Sequence, residues 1–242
     1  MAAALALAAL FAAHTSAASS GRRAADPPDM SIFRATPQIQ IRGAEVSSHL
    51  RLTVSGDSLV VDGDMDRAQP VGCRFTHGHN EARCPLAGAG SIKVVTGPGK
   101  DKVDVLDPLP VPLSVYLGDG SDGFHGNTEP DNCHGQGTKM NRCITGGGND
   151  VCITGQQNSD CFMGPGNDYC RHGAGSDGCW GGPGNDVCHM GPGMDGCHGG
   201  PGNDRLYGGP DADRLFGGPG HDYCDGEADA GRSYDCEAGP GH

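Results

Sequence analysis

Carboxylates recur at a fixed interval through the second half of the chain. Asp122, Asp131, Asp150, Asp168, Asp177, Asp186, Asp195, Asp204, Asp213 and Asp222 all occupy the sixth place of a nine-residue unit. The unit is plainest in Gly181-Gly-Pro-Gly-Asn-Asp-Val-Cys-His189. It returns as Gly199-Gly-Pro-Gly-Asn-Asp-Arg-Leu-Tyr207 and as Gly217-Gly-Pro-Gly-His-Asp-Tyr-Cys-Asp225. Traced back with one inserted residue near 135, 12 units fill residues 117–225, and Asn141 and Ser159 hold the sixth place in the other two. A column of like charges at close spacing repels itself, and a divalent cation between its members removes the conflict. Ligands that are all oxygen, from Asp carboxylates and turn carbonyls, select a hard ion. Many oxygens in flexible geometry suit Ca²⁺ better than Mg²⁺.

The elements that must position these carboxylates can be read from the rest of the unit. Glycines at places one, two and four permit the unusual φ angles of a tight turn. Places seven to nine form a short strand whose side chains alternate, so place eight points one way and its neighbours the other. Place eight reads Phe124, Cys133, Cys143, Cys152, Cys161, Cys170, Cys179, Cys188, Cys197, Leu206, Leu215, Cys224. One inward residue per unit makes no core alone, but stacked units do. Two nonapeptides per 18-residue turn, with turns about 4.8 Å apart, give a flattened coil.

These tandem units resemble the hemolysin-type calcium-binding repeat of RTX proteins, G-G-x-G-x-D-x-U-x. The resemblance covers residues 117–225. It implies an all-β fold, a parallel β-roll (a β-solenoid) of about six 18-residue turns, in which Asp at place six and carbonyls of the glycine-rich turn bind Ca²⁺ between turns. Carried over unit by unit, the even row is Asp131, Asp150, Asp168, Asp186, Asp204 and Asp222, complete, with five inter-turn sites. The odd row is Asp122, Asn141, Ser159, Asp177, Asp195 and Asp213. Asn141 and Ser159 interrupt it, which leaves the pairs Asp177/Asp195 and Asp195/Asp213. Asp160 stands one place late, and Asp211 replaces a turn glycine. About five to eight Ca²⁺ are expected.

Place eight departs from the family, where Leu, Ile or Val is usual. Cys there acts as a small buried hydrophobe or forms disulfides. Same-row neighbours one turn apart are within bridging distance, which would pair Cys133–Cys152, Cys143–Cys161, Cys170–Cys188 and Cys179–Cys197. Cross-core pairing of consecutive units is the rival, and Cys224 with Cys236 would close the C-terminal end. Cys188 and the adjacent His189 face opposite sides of a strand and cannot share an ion.

Upstream, residues 39–116 read as a β-rich cap with strands over 50–54, 58–61, 91–95, 102–106 and 113–117, separated by turn signals. The segment GPGKDKVDV over 97–105 already resembles the repeat. Cys73 and Cys84 bracket a short loop and read as a disulfide; the alternative is a metal site with His77 and His79. Residues 2–13 are apolar and too short to span a bilayer, and small residues follow. They read as a signal peptide over 1–17, with a linker over 18–38 and a C-terminal cap or tail over 226–242.

The 242 residues include 43 Gly and 12 Cys, and the net charge is -13. An acidic chain lacks the basic face that nucleic acid needs. Twelve Cys favour an oxidising compartment. No H-E-x-x-H, G-x-S-x-G or phosphate-loop motif occurs, and no later apolar segment is long enough to cross a membrane. The reading is a secreted, extracellular, non-enzymatic calcium-binding protein. The alternative is an adhesin or matrix module in which calcium is structural. An ice-binding solenoid fits poorly, since no Thr-x-Thr ladder exists. Two outward columns flank the complete calcium row: His125, Ile144, Phe162, Trp180, His198 and Phe216 at odd place nine, and Asn132, Val151, Tyr169, Val187, Arg205 and Tyr223 at even place seven. Aromatic residues form strands well, and a contiguous apolar stripe is also a docking signal. Phe162, Trp180, Tyr169 and Tyr223 are the residues expected to serve self-association or a protein partner.

Overall fold

A computed structural model of the chain describes residues 38–43, 47–63, 73–76, 80–137, 139–226, 232–237 and 239. The expected leader, nearly all of the linker, and His77 and His79 lie outside these residues. The described chain is all β. Strands β1 (Gln38–Arg42), β2 (His49–Ser55), β3 (Ser58–Asp62), β4 (Arg74–Thr76), β5 (Glu81–Pro85), β6 (Ser91–Val95), β7 (Lys102–Val105) and β8 (Leu113–Leu117) precede the repeats. The 12 nonapeptides supply β9 to β20, from Gly123–His125 to Tyr223–Asp225, and β21 (Arg232–Tyr234) follows. The five upstream strands expected from sequence are present within a residue or two. Strands β1, β4 and β5 are additional.

Two sheets result. One has nine strands in the order β1-β6-β8-β10-β12-β14-β16-β18-β20. The other runs β21-β19-β17-β15-β13-β11-β9-β7-β2-β3-β5-β4. Successive units alternate between the sheets, and units 18 residues apart pair in parallel, as in Tyr169↔Val187, Cys170↔Cys188 and Arg171↔His189. The coil has about eight turns rather than the expected six. The difference lies in the cap: β6 pairs in parallel with β1 and β8, and β7 with β2 and β9, so upstream strands join the same two columns. Its inward Leu50, Leu52, Ile92, Val94, Val103 and Val115 are buried and continue into the place-eight row.

All nine place-eight cysteines are buried. Two disulfides cross the core between consecutive units, Cys133–Cys143 and Cys152–Cys161, with Cα atoms 6.3 and 6.4 Å apart. The same-row pairs Cys133–Cys152 and Cys143–Cys161 do not form. Those residues are register partners on adjacent parallel strands. Their side chains leave the sheet side by side, whereas cysteines of opposite sheets face each other across a thin interior. Cys170, Cys179, Cys188 and Cys197 are thiols, so Cys170–Cys188 and Cys179–Cys197 are absent too. Cys73–Cys84 and Cys224–Cys236 are bridged as expected.

The turns need glycine for a specific reason. At Gly184, with φ at 151°, an added Cβ would collide with the carbonyl oxygen of Gly166 one turn earlier. The same relation holds between Gly202 and Gly184 and between Gly220 and Gly202.

Candidate metal centre

Turn-to-turn hydrogen bonds hold the edge of the roll. The N–H of place two donates to the place-one carbonyl of the next turn, as from Gly182 to Gly199 at 2.8 Å. The N–H of place four donates to the place-three carbonyl, as from Gly184 to Pro201 at 2.8 Å. Place five is tied by side chains: Asn185 N–H donates to Asn167 Oδ1, and Asn203 N–H to Asn185 Oδ1, both at 2.8 Å. The carbonyls of places two and four accept none of these bonds. Most lie against the glycine of the same place in the next turn, as Gly166 O does against Gly184, while Asn127 O accepts from Gly147 N–H at 2.6 Å and Gln157 O from the Ser159 hydroxyl at 2.9 Å.

The place-six carboxylates use one oxygen in the same scheme. In the even row, Oδ1 of Asp150, Asp168, Asp186, Asp204 and Asp222 each accepts a 2.8 Å bond from the N–H of the preceding Asp. Glu237 Oε2 takes the same part for Asp222, at 2.7 Å. In the odd row, Ser159, Asp177 and Asp195 donate to Asp177, Asp195 and Asp213. The other oxygen is different. Oδ2 of Asp101, Asp122, Asp150, Asp168, Asp177, Asp186, Asp195, Asp204 and Asp222 is buried without a hydrogen-bond partner. A buried polar atom without a partner is costly, and a carboxylate more so.

The ten expected residues therefore fall in two buried rows, one along each edge. Asp131 is the even-row member whose Oδ2 accepts a bond, from Asn127 N–H at 3.2 Å. Asn141 Oδ1 stands in the odd row and accepts from Asp122 N–H at 3.3 Å. Ser159 offers no carboxylate there. Asp160 opens β13 (Asp160–Phe162) and lies outside the buried row. Asp211 adopts a positive φ of 86°, whereas the place-four glycines Gly184, Gly193, Gly202 and Gly220 lie at 151°, 145°, 155° and 158°. Two members were missed from sequence. Asp101 accepts from Ser48 N–H at 2.6 Å and donates its own N–H to Asp122 Oδ1 at 2.8 Å. Its signal was the GPGKD segment, one glycine-rich turn upstream of the counted repeats. Glu237 had no periodic signal, lying 15 residues after Asp222.

Burial raises the pKa of these carboxyls, because the charged form loses its hydration. Asp131, Asp168 and Asp186 rise to about 7, and Asp122, Asp177, Asp195 and Asp204 to about 6. Neighbouring carboxylates add to the rise, as Asp168 and Asp204 do at Asp186. Donated backbone N–H groups work in the opposite direction. Both the bare carboxylate oxygens and the place-two and place-four carbonyls are hard oxygen donors, concentrated on each edge. This set of oxygen donors fits a calcium ion.

The exposed faces carry aromatic rows. Phe162 stacks on Trp180 with ring centroids 4.3 Å apart, Trp180 on His198 at 6.1 Å, His198 on Phe216 at 4.5 Å, and Phe216 on Tyr234 at 4.8 Å. Tyr169 and Tyr223 belong to the other sheet, where they tilt against His189 and Tyr207.

The RTX calcium-binding nonapeptide repeat model matches residues 198–232, in four copies. No curated protein and no solved structure matches the chain. Upstream of the match, β9 to β16 continue the same two strand columns at the same period. Repeats of this kind are typically structural rather than catalytic. The chain thus carries RTX calcium-binding nonapeptide repeats, folded as a parallel β-solenoid with a cysteine ladder in its core.

Proposed function

We propose that this is a secreted, extracellular calcium-binding protein without catalytic function, whose roll is ordered by about five to eight Ca²⁺ along its two edges. The observation that carries this reading is the row of buried, unpartnered Oδ2 atoms in Asp150, Asp168, Asp186, Asp204 and Asp222. The residues that would hold the ions are Asp131, Asp150, Asp168, Asp186, Asp204 and Asp222 on one edge. On the other they are Asp177, Asp195 and Asp213, with Asp122 joined by Asp101. The place-two and place-four carbonyls complete each set. The four disulfides support an oxidising compartment. Circular dichroism with and without Ca²⁺, paired with calorimetric titration, tests the reading. Gain of β signal with several ions bound is expected; no binding at millimolar Ca²⁺ overturns it.

A second reading gives the faces the work, as in an adhesin or matrix module with structural calcium. The stacked column Phe162–Trp180–His198–Phe216 favours it, because calcium would align these rings by stacking the turns. Sedimentation with and without Ca²⁺ tests self-association through Phe162, Trp180, Tyr169 and Tyr223. A calcium-loaded monomer at all concentrations removes that role.

A further inference from the structure

The four thiols left in the core are not scattered. Sγ atoms of Cys170, Cys179 and Cys188 lie within 4.8 Å of one another. Cys179 also contacts Cys197, which contacts Cys188 in turn. Two adjacent turns thus bring three buried sulfurs from both sheets together in the interior, with that of Cys197 beside two of them.

The same turns carry further soft donors. Place one of the unit is Gly199, Gly208 and Gly217 in the turns that follow, but Met163, His172 and Met190 in three of the four units here, with Gly181 in the fourth. All three are buried. His172 Nε2 lies 3.1 Å from Cys170 Sγ. Its Nδ1 lies 2.7 Å from Thr154 Oγ1, which orients the ring and directs Nε2 to the sulfurs. A partner on the far ring nitrogen is the usual support of a metal-binding imidazole. The Cys188 thiol donates to Met190 Sδ at 3.0 Å. A plain disulfide ladder has no need of imidazole or thioether, and the bridged pair Cys152–Cys161 has Thr145 and Thr154 at place one of its units.

We propose that Cys170, Cys179, Cys188 and Cys197, flanked by His172 and Met190, form a binding site for one thiophilic d¹⁰ ion, Zn²⁺ or Cu⁺. Thiolate, imidazole and thioether select such ions over Ca²⁺, as the oxygen edges select the reverse. Binding exchanges thiol protons for the ion and releases them to solvent, with no change of oxidation state. The sulfurs take no part in either calcium row, but His172 borders the odd one, with Nδ1 3.7 Å from Asp177 Oδ1, so the cysteine variants are the ones that separate the two sites.

The test uses the full chain, calcium-loaded and handled without oxygen. It is incubated with Zn²⁺, or with Cu⁺ held by a competing chelator, then desalted and analysed for metal. One ion per chain is expected, and the two arms decide which ion is preferred. Co²⁺ in its place should give a thiolate-to-cobalt charge-transfer band. Cys179→Ser and Cys188→Ser should each weaken binding at least about tenfold with the number of bound Ca²⁺ unchanged, and His172→Gln about 10-fold. Should a variant fail to fold, the wild-type cobalt spectrum decides alone. Absence of the band, full metal retention in folded Cys179→Ser, or disulfides among these four residues on peptide mapping would each overturn the proposal.

Discussion

The backbone N–H of Asp168 donates to Oδ1 of Asp186, 18 residues later and 2.8 Å away. One oxygen of Asp186 therefore staples two turns, and the other remains buried and unpartnered. Asp186→Asn separates the two tasks. It keeps an Oδ1 acceptor and removes the charge. The stack should survive, while the inter-turn sites that share Asp186 lose affinity for Ca²⁺ by at least about 10-fold, the lower end of what even indirect ligand changes cost. Calorimetric titration would read this as fewer tight ions. Asp186→Ala, which also removes the staple, should lose β signal in addition. Equal effects from both variants would contradict the division of labour.

Acid should act in opposite directions on the metal-free and the calcium-bound roll. Asp168 and Asp186 titrate near 7 in the fold against 3.8 in the free side chain. Between those values the folded state holds more protons than the unfolded chain. Its stability without calcium is therefore greatest below about pH 4 and is lost as pH rises toward 7. Calcium needs the ionised carboxylates, so its affinity should rise over the same interval, with proton release on binding near pH 6. Circular dichroism in chelator across this range, and titrations in buffers of different ionisation enthalpy, measure both. A metal-free roll that becomes more stable from pH 4 to 7 would contradict the sign.

Much of this was legible in the sequence because the nine-residue period fixes both strand and turn. The ten Asp of place six fall in two rows because they fall on one place of the unit. Asp101 was harder to see. It lies 21 residues before Asp122, not 18, so a strict period passes over it although its turn reads GPGKD. The disulfide pattern depends on the thickness of the roll. That is a tertiary quantity with no local signature, and it placed Cys133 opposite Cys143 rather than beside Cys152 in bonding terms. The place-five Asn ladder was present in the sequence at 149, 167, 185 and 203, but exposed polar residues in a turn have many other uses.

Asp101 gives a prediction of its own. It accepts from both the backbone N–H and the hydroxyl of Ser48, and it precedes Asp122 in the odd row. Asp101→Asn should retain the cap contact through an amide oxygen and lower the number of bound Ca²⁺ by about one. Asp101→Ala should also loosen the Ser48 strand, visible as faster amide exchange there. An unchanged calcium count in Asp101→Asn would confine the odd-row sites to the counted repeats.

The cross-core disulfides can be checked directly. Peptide mapping without reduction should find Cys133–Cys143 and Cys152–Cys161 and neither same-row alternative. Removing the second pair as Cys152→Ser plus Cys161→Ser should cost about 2–4 kcal/mol. Because each turn contacts its neighbours, the loss should be felt most at that level of the stack. Hydrogen exchange would locate it.

Among the described repeat residues, Asp211 is the one non-glycine with a positive φ, at 86°. An L residue held in the left-handed region carries a cost of about 1–2 kcal/mol, somewhat less for Asp. Glycine removes that strain but adds freedom to the unfolded chain, worth about 0.5–1 kcal/mol the other way. Charge adds a second term. Asp211 raises the carboxyl of Asp195, so its removal also relieves repulsion in the metal-free roll. Both folded-state terms favour Asp211→Gly when calcium is absent. The variant should be more stable than the parent by about 0.5–1 kcal/mol in chelator at pH 7. In saturating calcium the lost negative charge weakens attraction for the ion, and the gain should shrink. Asp211→Ala keeps the strained Cβ and should fall below Asp211→Gly in both conditions. Denaturant unfolding of the three proteins, with and without Ca²⁺, measures the order. A less stable glycine variant in chelator would mean that Asp211 makes contacts worth more than the strain it carries.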